Sequence, residues 1–234
     1  MRTIIVVPTY NERENLRELV SRVFEHAPDA HLLIVDDNSP DGTGQACEEL
    51  ARSEFAGRLF TLHRDRKAGL GRAYVAGFSY ALQQNYDWIV QMDGDLSHDP
   101  ACIPAMRAQA EGCDLVLGSR YLHGNNVVNW DFKRLVLSRS ACLYARMVLR
   151  FPFRDSTGGF KCWRRSTLLD LDLDRVFSNG YLFQIETTYK AFRKGFRIEE
   201  SSIVFHERKV GDSKMNWSII REAAFGVLKL RLRN

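Results

Sequence analysis

Short apolar runs alternate with longer segments of helical periodicity through the first half of the chain. Each run is rich in Val, Ile or Leu and is followed by polar, glycine or proline residues, as is typical of buried parallel strands. Between the runs, apolar residues recur three or four positions apart, as on one face of a helix. This alternation predicts an α/β fold with a mostly parallel, Rossmann-like sheet and helices on both faces. The predicted strands are residues 3–7, 31–35, 58–63, 89–92 and 114–118.

The second half of the chain has a different pattern. Residues 121–129 are polar and indicate a loop, and short strand pieces are expected within 197–205. Residues 131–150 and about 215–232 predict helices in which apolar residues are interspersed with Arg and Lys. Two interpretations of these helices remain open. They are either surface helices whose basic side chains extend to water, or basic helices that face a lipid surface.

Polar clusters follow three of the predicted strands, at residues 8–12, 36–41 and 93–95. Because right-handed crossovers place the carboxyl ends of parallel strands on one side of a sheet, these clusters should share an edge. Ligands of open α/β sheets bind at that edge. The convergence of the clusters is the main reason to predict a binding site there.

The cluster at 93–95 reads Asp-Gly-Asp after an apolar strand. Alternation along an extended chain would point Asp93 and Asp95 the same way, toward one hard cation. The alternative is a turn, where Asp and Gly are common for local reasons. A similar choice applies to Asp36 and Asp41, which would either cap a helix or bind the base or ribose of a nucleotide. Residues 69–71 carry Gly-x-Gly without a phosphate-loop pattern or a dinucleotide fingerprint.

Composition limits the class of protein. The chain has 234 residues and a net charge of +4, which suits one domain and an anionic ligand or membrane surface. The five cysteines are scattered and form no Cys-x-x-Cys, so we expect buried thiols rather than disulfides or a zinc site. No apolar stretch approaches about 20 residues, and the N-terminus does not read as a signal peptide, so no membrane-spanning helix is expected.

Nine short motifs follow one another in order along almost the whole chain. Together they resemble family 2 glycosyltransferases of the GT-A fold, and among these the polyprenol-phosphate (dolichol-phosphate) mannosyltransferases. The motifs are V-P-T-Y-N-E (7–12), V-D-D-N-S-P-D-G-T (35–43), G-L-G (69–71), M-D-G-D-L-S-H (92–98), G-S-R-Y (118–121), the spacing of Trp130, Arg134 and Ser138, D-S-T-G-G-F-K (155–161), G-Y-L-F-Q-I-E (180–186) and R-K-V-G-D-S-K (208–214).

The resemblance implies a role for individual residues. Those implied to bind the nucleotide sugar are Pro8, Tyr10, Glu12, Val35, Asp36, Asp37, Asp41, Lys67 and Gly71. Those implied to bind the acceptor phosphate are Arg120, Arg134, Ser138 and Lys214. Asp93, Asp95, Arg120 and Arg208 are implied to be catalytic, and Asp93, Asp95 and Ser97 to hold Mg²⁺ or Mn²⁺. The chain departs from the family pattern at Gly94, where Ala is usual, and at Ser97, where some relatives place a metal-binding Gln.

The activity implied by the resemblance is inverting transfer of mannose from GDP-mannose to polyprenyl (dolichyl) phosphate, giving a β-linked product. The alternatives are UDP-glucose or another nucleotide sugar as donor, and a non-enzymatic anion-binding module. We expect one domain over 1–234, with a nucleotide-sugar half (1–122) and an acceptor half (123–234). Many bacterial relatives carry membrane helices after this domain. Because this chain ends at Asn234, we expect a peripheral protein on the cytoplasmic face of a membrane, held by surface helices or a small membrane subunit, with no nucleic-acid partner.

Overall fold

The computed structural model describes residues 1–207 and 217–233. The strands are β1 (Thr3–Thr9), β2 (His31–Asp36), β3 (Leu59–His63), β4 (Trp88–Gln91), β5 (Leu115–Ser119), β6 (Val127–Val128), β7 (Lys161–Arg164), β8 (Ile198–Ser202) and β9 (Phe205–His206). The α-helices are α1 (Arg13–His26), α2 (Thr43–Ser53), α3 (Leu70–Gln83), α4 (Ile103–Ala110), α5 (Phe132–Leu149), α6 (Arg165–Asp170), α7 (Tyr181–Arg193) and α8 (Trp217–Arg233). Short 3₁₀ turns lie at Pro100–Cys102 and Leu173–Arg175.

Seven strands form one sheet in the order β3-β2-β1-β4-β7-β5-β8. All neighbours in it pair in parallel except β7, which runs antiparallel to both β4 and β5. The prediction of a mostly parallel sheet is therefore confirmed. The place of β7 was not predicted, because residues 161–164 follow α5 in the chain and yet enter the sheet between two earlier strands.

Both faces of the sheet are covered by helices, as the alternation predicted. Ile4 and Val6 of β1 belong to one apolar cluster, which includes residues of α3, α5, α7 and α8. Ile5 and Val7, which point the other way, belong to a second cluster with residues of α1, α2 and α4. Burial on both faces explains why the strands read as continuous apolar runs rather than as alternating patterns.

The helices of the second half pack on one side of this sheet. Tyr144 of α5 donates a hydrogen bond to the backbone oxygen of Ala224 in α8, at 3.0 Å. The predicted start of the last helix, near Met215, lies outside the described residues. No helix within the described ranges combines the length and the apolar character that crossing a bilayer requires. All five cysteines are free thiols, and four of them are buried, as the sequence predicted.

Candidate functional site

A cavity of about 410 Å³ opens at the carboxyl ends of β1, β2 and β4, where the polar clusters were predicted to meet. We call it the strand-end cavity. The first half of the chain contributes Pro8, Thr9, Tyr10, Glu12, Asp37, Lys67, Gly69, Leu70, Ala73, Asp93, Gly94 and Asp95. The second half contributes Thr157, Gly159, Asn179, Gly180, Tyr181, Leu182 and Gln184.

The loop after β1 carries the aromatic wall of the cavity. The ammonium group of Lys67 lies 3.7 Å from the centre of the Tyr10 ring, so these two side chains form a cation–π pair. The loop itself is tied to the loop after β2. The Asn11 backbone N–H donates to Ser39 Oγ, and the Glu12 backbone N–H donates to Thr43 Oγ1, each at 3.1 Å. Two strand ends are thereby fixed side by side.

Asp37 is the acidic residue after β2 that lines this cavity. Its carboxylate pairs with Arg64 and accepts a hydrogen bond from the Ala68 backbone N–H at 3.4 Å. The loop between β3 and α3, which carries Lys67, is therefore anchored to the end of β2. A nucleotide ligand would meet Asp37, Lys67 and Tyr10 together.

Four of the residues that were predicted to bind the nucleotide sugar do not line the strand-end cavity. Val35 lies inside β2 with no exposed surface. Asp36 is buried and accepts hydrogen bonds from the Ser39 backbone N–H and hydroxyl. Asp41 accepts from the Thr43 backbone N–H and hydroxyl, at 3.0 and 2.6 Å. These carboxylates organise the turn into α2, which was the structural alternative considered for them.

Gly71, the fourth of these residues, lies where α3 packs closely on the start of α7. A Cβ atom at this position would lie 2.8 Å from the Ser178 backbone oxygen and 2.9 Å from the Phe183 ring. Glycine is therefore required here by packing between two walls of the cavity. Its neighbour Gly69 lines the cavity directly.

Asp93 and Asp95 both face the strand-end cavity, although the chain is not extended between them. Strand β4 ends at Gln91, and Leu96 has a φ of 62° in the left-handed region, which a branched apolar residue rarely adopts. Asp95 Oδ1 accepts from the Ser97 backbone N–H at 3.1 Å and from the Ser97 hydroxyl at 2.5 Å. A turn, rather than alternation along a strand, brings the two carboxylates to the same cavity.

The oxygen atoms of Asp93 and Asp95 suit a hard divalent cation. Mg²⁺ commonly takes one or two carboxylates and shares its other positions with water and substrate phosphates. Ser97 is buried and supports Asp95 instead of lining the cavity. Within the described residues, no group of three His, Cys, Asp or Glu side chains is arranged to hold a metal. The two carboxylates beside the open cavity are a donor set that Mg²⁺ or Mn²⁺ could share with oxygen atoms of a ligand.

A second polar cluster lies beside the cavity, centred on Arg120. The Arg120 guanidinium donates to both oxygens of Asp155, at 2.6 and 2.7 Å, and to Thr157 Oγ1 at 2.8 Å. Both members of this ion pair are almost fully buried. Burial alone would raise the pKa of Asp155, but the positive charge of Arg120 outweighs it and holds that pKa below its usual value. The pair is therefore charged throughout the neutral range.

Trp130, Arg134 and Ser138 lie next to Arg120. The guanidinium carbons of Arg120 and Arg134 lie 5.4 and 4.3 Å from the centre of the Trp130 ring. Arg134 also pairs with Glu207 at 3.0 Å. The hydroxyl of Tyr121, the residue after Arg120, donates to Ser138 Oγ at 2.7 Å. We call Arg120, Tyr121, Trp130, Arg134 and Ser138 the cationic cluster.

The structure thus brings together three of the four residues predicted to bind the acceptor phosphate. Thr157 joins the two regions, since it lines the strand-end cavity and accepts a hydrogen bond from Arg120. The predicted site residues Arg208 and Lys214 lie outside the described residues.

The model of glycosyl transferase family 2 matches residues 4–171. The chain belongs to this family.

Two curated relatives match this family 2 chain over nearly its whole length. Polyprenol monophosphomannose synthase of Mycolicibacterium smegmatis is 46% identical over 233 residues, which cover 99% of this chain and 88% of the relative. Undecaprenyl-phosphate mannosyltransferase of Micrococcus luteus is 41% identical over 229 residues, covering 98% and 93%.

Solved structures with the same fold include glucosyl-3-phosphoglycerate synthase of Mycobacterium tuberculosis. Its complex with Mn²⁺, UDP and phosphoglyceric acid superposes with a TM-score of 0.75 at 16% identity, covering 98% of this chain and 78% of that one. Its complex with Mg²⁺ and UDP gives 0.73, also at 16% identity, covering 98% and 79%. At this identity the likeness concerns the fold alone, and it confirms the predicted GT-A fold.

Several residues of the family 2 site had no role assigned from sequence. Asp155, Thr157 and Gly159 lie in a motif that the sequence identified, but periodicity could not show that their loop reaches the strand-end cavity. Tyr74 of α3, whose hydroxyl donates to Asp93 Oδ1 at 2.6 Å, was not singled out, because an aromatic residue inside a helical pattern usually belongs to the core. The motif order around residues 155–161 was the one available signal.

Proposed function

We propose that this family 2 glycosyltransferase transfers mannose from GDP-mannose to a polyprenyl phosphate and inverts the anomeric centre. The observation that carries the proposal is the 46% identity to a polyprenol monophosphomannose synthase over 99% of the chain. The second relative, a mannosyltransferase acting on undecaprenyl phosphate by its name, supports the same sugar and acceptor class.

The strand-end cavity would take the nucleotide sugar. Tyr10, Asp37 and Lys67 would hold the nucleotide, while Asp93 and Asp95 would hold Mg²⁺ or Mn²⁺ against the diphosphate. The divalent ion, when bound, neutralises the charge that develops on the leaving nucleotide diphosphate. Glu12 and Pro8 line the same wall. In this assignment residues 1–122 supply most of the donor site, and the loops around Thr157 and Tyr181 close it from the second half.

The cationic cluster would take the acceptor phosphate. A phosphate monoester has a second pKa of about 6 and is largely ionised at neutral pH, so it needs no general base. Arginine suits this task because its planar group binds phosphate oxygens in a fixed geometry. Arg120 is already oriented by Asp155, and both Arg120 and Arg134 lie against the Trp130 ring. We infer that Arg208 and Lys214 complete this set.

This arrangement supports a direct displacement. The acceptor oxygen would attack the anomeric carbon from the side of Thr157 and Arg120, while the diphosphate leaves toward Asp93 and Asp95. Attack opposite the leaving group converts an α-linked donor into a β-linked product. No side chain has to remove a proton from the acceptor in this mechanism.

We infer that helices α5 and α8 attach the protein to the cytoplasmic face of a membrane. The α5 residues Phe132, Val136, Leu143 and Met147 are between 46% and 78% exposed. At about 100° per residue they fall on one face of the helix. Phe225, Leu228 and Leu232 of α8 form a second exposed apolar stripe, and α5 and α8 pack together. Basic residues such as Arg139, Arg146 and Lys229 flank the stripes and favour anionic lipids.

The donor is tested with labelled GDP-mannose, UDP-glucose and UDP-N-acetylglucosamine, each offered with a short polyprenyl phosphate. We expect lipid-linked label from GDP-mannose alone, present with Mg²⁺ or Mn²⁺ and abolished by chelator. Label from a UDP-sugar would overturn the donor assignment and keep the acceptor class. Binding of labelled nucleotide without transfer from any donor would contradict the proposed reaction.

Membrane attachment is tested by co-sedimentation with vesicles that contain phosphatidylglycerol. We expect binding to these vesicles that Phe132→Ser with Met147→Ser weakens. The paired control, Leu169→Ser, removes an exposed apolar residue of α6 instead. Equal binding of both variants, or binding that requires an added membrane subunit, would contradict attachment through α5.

A further inference from the structure

Asp93 is held at both its side chain and its backbone. The Tyr74 hydroxyl donates to Asp93 Oδ1 at 2.6 Å, and the Asp93 backbone N–H donates to His98 Nδ1 at 3.1 Å. No described residue donates a hydrogen bond to Asp93 Oδ2, from which His98 Nδ1 is 3.9 Å away. The side chain is 32% exposed and lines the strand-end cavity. One carboxylate oxygen is thus engaged by the protein, and the other is left for a ligand.

Tyr74 is itself fixed by its surroundings. It lies on α3, has no exposed surface, and stacks on Phe183 of α7 with 5.7 Å between ring centres and 5° between ring planes. The Tyr74 ring also stacks against the Phe78 ring, with 5.8 Å between the ring centres. The stacked and buried ring directs the phenol hydroxyl to Asp93 Oδ1. Its position is coupled to the two helices that wall the cavity.

The backbone of Gly159 lies close to the other carboxylate oxygen of Asp93. A Cβ atom at position 159 would lie 2.9 Å from Asp93 Oδ2. His98, whose Nδ1 accepts the hydrogen bond from the Asp93 backbone N–H, is almost fully buried. The hydrogen bonds from Tyr74 and to His98 therefore hold both the carboxylate and the backbone of Asp93 in place.

We propose that Tyr74 is a positioning residue that restricts Asp93 to binding the divalent ion through one oxygen and thereby favours Mg²⁺ or Mn²⁺ over Ca²⁺. This inference rests on the proposed metal-dependent function. Mg²⁺ requires a compact octahedral set of ligands, whereas Ca²⁺ accepts six to eight oxygens and often binds both oxygens of one carboxylate. A carboxylate with one oxygen committed to a phenol suits the first kind of ion.

The test is Tyr74→Phe, which removes one oxygen atom and keeps the stacked ring. Mn²⁺ binding is measured by electron paramagnetic resonance in the presence of GDP, and Ca²⁺ binding by competition. Because residues that orient metal ligands typically affect metal affinity about 10-fold to 100-fold, we expect the Mn²⁺ dissociation constant to rise about tenfold. The Ca²⁺ constant should stay the same or fall, so their ratio shifts by about tenfold toward Ca²⁺.

The matched control is Tyr80→Phe, which removes the same atom from the same helix at a partly buried tyrosine near Phe60. It should leave both constants unchanged, and thermal melting confirms that each variant is folded. If Tyr74→Phe leaves the ratio of the Mn²⁺ and Ca²⁺ dissociation constants unchanged, including by weakening the binding of both ions equally, the inference is overturned. The proposed function would still stand. Failure of the unsubstituted protein to bind Mn²⁺ with GDP would contradict the metal role itself.

Discussion

The strand-end cavity and the cationic cluster lie side by side but are built in opposite ways. In the cavity, Asp37, Asp93 and Asp95 stand at the ends of parallel strands and face an open space. In the cluster, Arg120 is buried and paired with Asp155, and aromatic rings surround it. One region gathers negative charge that a cation and diphosphate can use, and the other gathers positive charge that a phosphate can use.

Because of this difference, substitutions in the two regions should affect stability differently. Asp95 is supported by its own turn through Ser97, so its replacement should affect chemistry and leave the core intact. Arg120 is part of a buried ion pair, so its replacement leaves Asp155 without its partner. The following predictions test that contrast.

The largest effect is expected from Asp95→Asn. Removing a group that serves the developing charge of a leaving group costs about 100-fold to 1000-fold in rate, so transfer of mannose should fall by that factor. The melting temperature should change little. The control is Asp170→Asn, an exposed acid at the end of α6, which should keep full activity. Near-normal transfer by Asp95→Asn would contradict a role of the strand-end cavity in the reaction.

Arg120→Ala and Arg134→Ala should differ in stability. Arg120→Ala exposes the uncompensated charge of buried Asp155 and should lower the free energy of unfolding by about 3–5 kcal/mol. Arg134 pairs with the partly exposed Glu207, so Arg134→Ala should cost at most about 1 kcal/mol. It should instead raise the KM for polyprenyl phosphate about tenfold with little change for the donor. Urea unfolding measures the loss of stability, and steady-state kinetics measures the KM. Equal destabilisation by the two substitutions would contradict the proposed difference between the buried and the exposed ion pair.

Gly159→Ala tests how closely the second half approaches the carboxylates. The added methyl group would lie 2.9 Å from Asp93 Oδ2, so the loop or the carboxylate must shift. We expect transfer to fall about tenfold, since small displacements of reacting groups are costly. Gly112→Ala is the control, because its Cβ would meet no atom closer than 3.7 Å. Equal activity of the two variants would show that Asp93 tolerates movement.

The last prediction concerns the stability of the fold and the buried Lys161 of β7. Burial lowers its pKa to about 7, against the opposing charges of Asp155 and Asp93, and its ammonium donates to the Gln184 backbone oxygen at 2.8 Å. The unfolded chain holds this proton up to a pKa of about 10.4, whereas the folded chain loses it near pH 7. Stability should therefore rise with pH across this interval, by at most about 1.4 kcal/mol per pH unit.

Lys161→Met should remove this dependence. Urea unfolding at pH 7, 8 and 9 should show the unsubstituted protein gaining stability relative to the variant as pH rises. Parallel curves for the two proteins would mean that Lys161 keeps the same charge in the folded and unfolded states.

The sequence predicted those parts of the site that lie at the ends of regular strands. Continuous apolar runs predicted β1, β2 and β4, and parallel topology then brought Tyr10, Asp37 and Asp93 to one edge. The same reasoning could not distinguish Asp37, which faces the cavity, from Asp36, which points into the turn. Adjacent residues point in different directions, and which of them faces a ligand depends on contacts with Ser39 and Arg64.

The cationic cluster could not be predicted from the pattern of apolar and polar residues. Arg120, Trp130 and Ser138 come from a strand end, a loop and a helix whose packing no periodicity specifies. The family motifs suggested their association, and the aromatic rings that bring them together became visible in the structure. The antiparallel place of β7 in the sheet was not predicted for a related reason, since it depends on pairing with strands that are distant in sequence.

The central claim is that the acceptor phosphate, held beside Thr157 by the cationic cluster, displaces a diphosphate held at Asp93 and Asp95 in one step. The anomeric configuration of the purified product, determined by nuclear magnetic resonance after reaction of GDP-mannose with polyprenyl phosphate, tests it most directly. The account predicts a β-linked mannosyl phosphate. An α-linked product would require a second displacement and would contradict the claim.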